Sequence, residues 1–166
     1  MGEMTVYGGP GFEESVSAVT ADPSVDLGSR RLYKGEEYVY CYNAGGTTIA
    51  KTYGVKLITG ASGYSVADTA LTNVANICVG VVKHEDLEAA DYGWIMTKGF
   101  TQVEHAADSA SVGNYIAISL ARSGTFHQAA PLTDAVHVGT FAVCGYGLAV
   151  SAASGDSFYA MINTGF

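Results

Sequence analysis

Residues 78–100 read CVGVVKHEDLEAADYGWIMTKGF, and residues 144–166 read CGYGLAVSAASGDSFYAMINTGF. The two stretches have the same length, begin with Cys and end with Gly-Phe. Tyr92 falls opposite Phe158, Ile95 opposite Met161 and Met96 opposite Ile162. In each, an apolar run broken by glycine leads into an acidic or small-residue linker, and an aromatic-rich run follows. Short apolar runs bounded by turn residues are the pattern of buried strands. Each stretch therefore predicts a β-loop-β hairpin. The match is either a duplicated unit or a chance likeness between two Gly-rich hairpins. Both alternatives predict two similar hairpins, placed to cover opposite ends of one small barrel or sandwich.

The strand signal continues on either side. Glu37 to Tyr42 alternates Tyr with Val and Cys, so both faces are apolar and the strand should be covered on both sides. Asn43-Ala-Gly-Gly46 ends it with turn residues. Thr47 to Thr59 is a β-branched run in which Gly54 marks a bulge or bend. Tyr64 to Ala67 forms another short strand after the turn at Gly60–Gly63. Residues 68–76 hold at most a weak helical turn, because Thr72, Asn73 and Asn76 disfavour it. Asn114 to Leu120 and Gly124 to Gln128 predict a hairpin. Val136–Val143, Cys144–Val150 and Phe158–Asn163 bring the total to about ten strands. No twelve-residue segment repeats apolar positions at helical spacing with caps. The expected fold is all-β, a small β-barrel or sandwich of about ten short strands.

Residues 1–34 read differently. Gly8-Gly9-Pro10-Gly11 and Ala21-Asp22-Pro23-Ser24 interrupt any regular element. The segment is expected to be an extended N-terminal arm, either frayed or ordered against a partner. The β-domain then spans residues 35–166. In the arm, Tyr7, Phe12, Val16 and Val19 are candidate contacts with a neighbour, being apolar on a segment with little to pack against.

The chain has 166 residues, 48% apolar and 14% charged, with 21 glycines. That is long enough for a core without staples and too apolar for disorder. Sixteen acids against eight bases leave a charge of −8, and the bases are scattered, with none after Arg122. Such a surface repels phosphate, so neither nucleic acid nor an anionic membrane is an expected partner. Ala135 to Gly155 lacks charge, but His137, four glycines and several Ser/Thr argue against a membrane span. The N-terminus shows no basic or apolar leader, so no secretory signal is expected; free cysteines favour synthesis in a reducing cytoplasm. Cys41, Cys78 and Cys144 are odd in number, widely spaced and set among apolar neighbours, so they read as buried free thiols.

Chemistry-bearing motifs are sparse. His84, His105, His127 and His137 show no metal spacing, and His84-Glu85-Asp86 puts its donors on adjacent residues that point apart. No nucleophile elbow, phosphate loop or dinucleotide turn is present. No catalytic, metal or cofactor site is expected. Tyr38, Tyr40 and Tyr42 with Tyr92 and Trp94 have two readings: a stacking platform for sugar, or core and subunit-interface residues. With no amide-rich or basic companion motif, the second is preferred, and Tyr38, Tyr40 and Trp94 join the interface candidates.

The hairpin Val79-Gly-Val-Val, an acidic linker, then Asp91-Tyr-Gly-Trp-Ile-Met-Thr-Lys-Gly-Phe resembles a pattern in virion structural proteins of tailed bacteriophages. The following Val112-Gly-Asn-Tyr-Ile-Ala-Ile-Ser, the Arg122-Ser-Gly-Thr-Phe turn and the closing hairpin in Thr140–Asn163 also fit, as does Asp26-Leu-Gly-Ser-Arg-Arg before Gly35-Glu-Glu-Tyr-Val-Tyr. The resemblance covers roughly residues 26–163 and is closest to capsid decoration (cement) proteins. It implies a β-barrel without catalytic residues, usually a homotrimer, bound to the major capsid protein on the outside of the head. The longer N-terminal segment and the acidic first linker depart from the pattern. Another head, tail or fibre component shares these features, and a carbohydrate-binding β module is the remaining alternative.

Overall fold

The structure, a computed structural model, describes residues 15–59, 63–68, 74–106, 112–119, 123–128, 143–148 and 155–165. The described residues form an all-β fold of eleven strands in one mixed sheet. They are β1 (Val19–Thr20), β2 (Arg30–Tyr33), β3 (Glu36–Asn43), β4 (Gly54–Ile58), β5 (Ser65–Ala67), β6 (Val74–Val81), β7 (Tyr92–Glu104), β8 (Tyr115–Ile118), β9 (Phe126–Gln128), β10 (Val143–Gly147) and β11 (Ser157–Asn163). The order is β2-β3-β5-β4-β6-β7-β11-β10-β8-β9, with β1 added to β7 and an extra β3–β7 pairing. That extra pairing closes β3, β5, β4, β6 and β7 into a ring. From β7 the sheet continues through β11, β10, β8 and β9 as a second layer, while β2 flanks β3. Parts of the Val136–Val143 run, the Asp68–Asn76 stretch and the 121–122 turn lie outside the described residues.

Two cores follow. Val39, Cys41, Val55, Val66, Val79 and Ile95 fill the ring. Tyr38, Tyr40, Trp94, Met96, Phe126, Phe158 and Ile162 fill the space between ring and second layer. β3 therefore faces apolar surroundings on both sides, as its uninterrupted Tyr/Val/Cys alternation predicts. Its odd residues enter the ring and its even residues face the second layer.

β7 serves both layers, and a bulge lets it do so. Glu37 lies opposite Lys98 and Tyr38 opposite Met96, so β7 carries one extra residue there. A one-residue slip turns every later side chain to the other face. Met96 and Val103 both enter the same core despite opposite parity. Lys98, Phe100 and Gln102 consequently point outward.

The two matched stretches are β6–β7 and β10–β11. Both pair antiparallel, although in different registers: Val81 meets Met96, whereas Gly147 meets Ala160. Their second strands pair with each other. Asn163 lies opposite Lys98, and Thr164 N–H donates to the Thr97 carbonyl at 3.1 Å. Counted from their cysteines, Asn163 matches Thr97 and Thr164 matches Lys98. β7 and β11 are thus related by a local two-fold.

The expected arm needs correction from residue 15 onward. Val16 is buried, Val25 and Leu27 pack against the core, β1 pairs with β7 and β2 with β3. The Tyr40 hydroxyl accepts the Ser24 N–H at 3.3 Å and lies 3.2 Å from Thr20 Oγ1, which fastens the segment. Turn residues at 21–24 break the secondary structure without breaking the packing. Tyr7 and Phe12 lie outside the described residues.

Candidate functional site

Three of the five aromatic residues singled out from the sequence are core residues, while Tyr42 and Tyr92 are half-buried. Tyr38, Tyr40 and Trp94 are 1%, 0% and 6% exposed. Tyr40 packs on Trp94 with ring centres 5.1 Å apart, and Arg31 lies over the Trp94 ring at 5.8 Å. These three rings present no face to a sugar, so the five-ring platform is not formed; only Tyr42 and Tyr92, packed at 4.8 Å, are half-buried. Nor, with buried Val16, do Tyr38, Tyr40 and Trp94 offer surface to a partner. Val19 is half-buried beside the ring core. The period-2 alternation marked the strand correctly, but both its faces are spent on the chain's own two cores.

A different aromatic row is on the surface. Downstream of the bulge, β11 alternates cleanly, with Phe158, Ala160 and Ile162 inward and Tyr159 and Met161 outward. Met161 lies opposite Phe100 on one side and Tyr146 on the other. Phe100 stacks on Tyr159 at 5.0 Å, nearly parallel, and Tyr146 packs on Tyr115 at 4.9 Å. Leu148 extends the row through a backbone bond to Tyr159. Phe100, Tyr146, Leu148, Tyr159 and Met161 are each 41–45% exposed. Single exposed apolar residues are ordinary, but a contiguous strip is the mark of a contact surface. The strip contains no charge; Lys98 and Glu104 stand at the two ends of the β7 part. The signal was legible in Phe158–Asn163, whose alternation has apolar residues on both faces. Which face is outer depends on the bulge.

A polar network anchors the acidic linker. The Tyr38 hydroxyl donates to Glu36 Oε2 at 2.6 Å and lies 3.0 Å from His84 Nε2. Lys83 pairs with the other Glu36 oxygen. Burial first and the Lys83 charge second hold His84 below the usual imidazole value. Burial works to raise Glu36, but bonds from Lys83 and Tyr38 outweigh it and leave the carboxyl low. Both groups then favour unfolding in acid. The unfolded chain protonates His84 first as pH falls below about 6.5, and Glu36 later below about 4.5. Stability is complete above that window and is lost as pH falls through the lowered folded values. The thermal midpoint should drop between about pH 7.5 and pH 5, and less so in His84→Phe, which keeps a ring on Tyr38. An equal drop in the variant would remove His84 from this role.

Among the described residues, no group of three or more His, Cys, Asp or Glu side chains is placed to hold a metal. No helix there is long and apolar enough to cross a membrane.

The fold and this strip define an all-β domain of two paired hairpins with an uncharged aromatic surface. No protein family and no curated protein matches the chain. Among solved structures it is similar to the N base of head fibre gp8.5 of bacteriophage phi29, at 14% identity and a TM-score of 0.47. The match covers 76% of this chain and 95% of that one.

Proposed function

We propose that this chain is a structural protein of a bacteriophage particle, carried on the head and working by association rather than chemistry. The observation that carries the proposal is the uncharged strip from Tyr115 through Tyr146, Met161 and Phe100 to Tyr159. A chain of charge −8 meets copies of itself most readily across a surface without charge. The hairpins that resemble tailed-phage virion proteins are the elements that build the strip, which supports the same reading. On this reading, copies assemble as a symmetric oligomer, a homotrimer in the simplest case, and seat on the major capsid protein between capsomers. Binding only the assembled shell stabilises it by linkage.

Electron microscopy of the native particle is the decisive test. Density for this chain on the outer shell is the expected result; a particle without it overturns the proposal. Light scattering on the purified chain tests the strip. The wild-type chain should run as an oligomer, and the Phe100→Ser/Met161→Ser double variant as a monomer that stays folded. A monomeric wild-type chain counts against self-association through this face.

A further inference from the structure

Two tyrosines face each other across adjacent strands at one end of the exposed row. Tyr115 on β8 and Tyr146 on β10 are direct partners in the antiparallel register. Directly opposed residues share one face of a sheet, with their side chains in reach of each other. The two ring centres lie 4.9 Å apart, with the planes inclined at 40°. Tyr146 is 42% exposed and Tyr115 is half-buried, so an oxidant in solution reaches the pair. The backbone beside the rings holds the two strands together. Gly147 N–H donates to the Asn114 carbonyl at 2.9 Å, and Gly113 N–H donates to the Gly147 carbonyl at 2.8 Å. A second opposed pair, Tyr42 on β3 and Tyr92 on β7, has nearly the same geometry, at 4.8 Å and 39°. It differs in access, because both of its rings are half-buried and Tyr92 also packs against the core and on Tyr40.

We propose that Tyr115 and Tyr146 are a site of oxidative cross-linking, joined within one chain as a dityrosine by a haem peroxidase supplied with hydrogen peroxide. Each phenol gives up one electron and its hydroxyl proton and becomes a phenoxyl radical. The two radicals couple by a new C–C bond between ring carbons adjacent to the oxygen-bearing carbons. Each of the newly joined carbons passes its hydrogen to its own ring's oxygen, which restores both phenols. The pair thereby loses two hydrogen atoms; the peroxide takes up two electrons and two protons and leaves as two waters. A phenoxyl radical on an isolated surface tyrosine waits for a diffusional encounter. Here the second ring is already in contact, and such proximity acts as a high effective concentration. The bond ties β8 to β10 and closes a loop of about 30 residues, restricting the unfolded chain as a disulfide does. The inference does not rest on the proposed function, although the pair stands at the end of the same row.

The test treats the full chain with a haem peroxidase and hydrogen peroxide, runs it on a denaturing gel and maps its tryptic peptides by mass spectrometry. Trypsin cuts between the two tyrosines, after Arg122. The expected result is blue dityrosine fluorescence in a single-chain band and a linked peptide joining residues 115 and 146 that lacks two hydrogens. The thermal midpoint should rise by about 5–10 °C. Tyr146→Phe keeps a ring opposite Tyr115 but has no hydroxyl to oxidise, and should lose both the fluorescence and the linked peptide. The Phe100→Ser/Met161→Ser variant is treated alongside, because association across the row covers the pair. A link in that variant alone supports the proposal and shows that wild-type copies shield the rings. No 115–146 link in either chain, a link only between two chains, a link at residues 42 and 92 instead, or unchanged fluorescence in Tyr146→Phe overturns it.

Discussion

Asn43→Ala is expected to destabilise the protein by about 3 kcal/mol, because it strands several buried backbone groups at once. Asn43 is fully buried at the end of β3. Its amide nitrogen donates to the carbonyls of Thr47 at 2.8 Å, Glu88 at 2.9 Å and Leu87 at 3.0 Å, sharing two hydrogens among three acceptors. Its side-chain oxygen accepts the Gly45 N–H at 3.0 Å. One side chain therefore fastens the turn after β3 and the acidic linker between β6 and β7. A methyl group satisfies none of these partners, and a buried unpaired polar group costs about 1–3 kcal/mol. Asn43→Asp should be no better, since a carboxylate cannot donate to carbonyls. Urea unfolding measures the cost, and hydrogen exchange should quicken at residues 44–48 and 84–91. A loss under about 1 kcal/mol would mean water replaces the amide at this site.

Gly80→Ala should cost a similar amount, about 3 kcal/mol, by opposing closure of the ring. A Cβ on Gly80 would lie 2.2 Å from the Met96 carbonyl oxygen and 2.9 Å from Ile95 Cγ2. The oxygen belongs to backbone, so β6 and β7 must move apart. Their register shows only Val81 opposite Met96, leaving little pairing to absorb the shift. Gly145 does the same work in the second hairpin, where a Cβ would lie 2.0 Å from the Met161 carbonyl oxygen. Gly63→Ala is the control, since nothing lies within 4 Å of its added carbon. It should change stability by less than about 0.5 kcal/mol. Equal effects at Gly63 and Gly80 would refute the close-approach argument.

The strands themselves were largely legible. Tyr38 to Tyr42 announced a doubly covered strand, the 115–128 stretch a hairpin, and the two Cys-led stretches a pair of similar hairpins. The interface candidates were less so. Tyr38, Tyr40 and Trp94 look alike in sequence to Phe100, Tyr146 and Tyr159, all aromatic residues in strands. Burial separates them, and burial depends on what packs against each face. The N-terminal segment misled for a related reason. Turn residues at 21–24 report local backbone breaks, whereas Val16, Val25 and Leu27 are held by contacts with distant strands.

Gly80 and Gly145 show where sequence stops and tertiary structure begins. The chain's own pattern determined that it is all-β and contains two matched hairpins, because alternation, turn residues and spacing are local properties. It also determined a surface poor in charge. Only the tertiary structure decided that the ring closes and that the second strands of the two hairpins, β7 and β11, pair with each other. It alone decided that Phe100 and Met161 turn outward. Those outcomes rest on strand register, and one extra residue in β7 reverses every side chain after it. Nothing local in the sequence marks which residue of β7 will be left unpaired, because the partner strand, β3, lies more than fifty residues away.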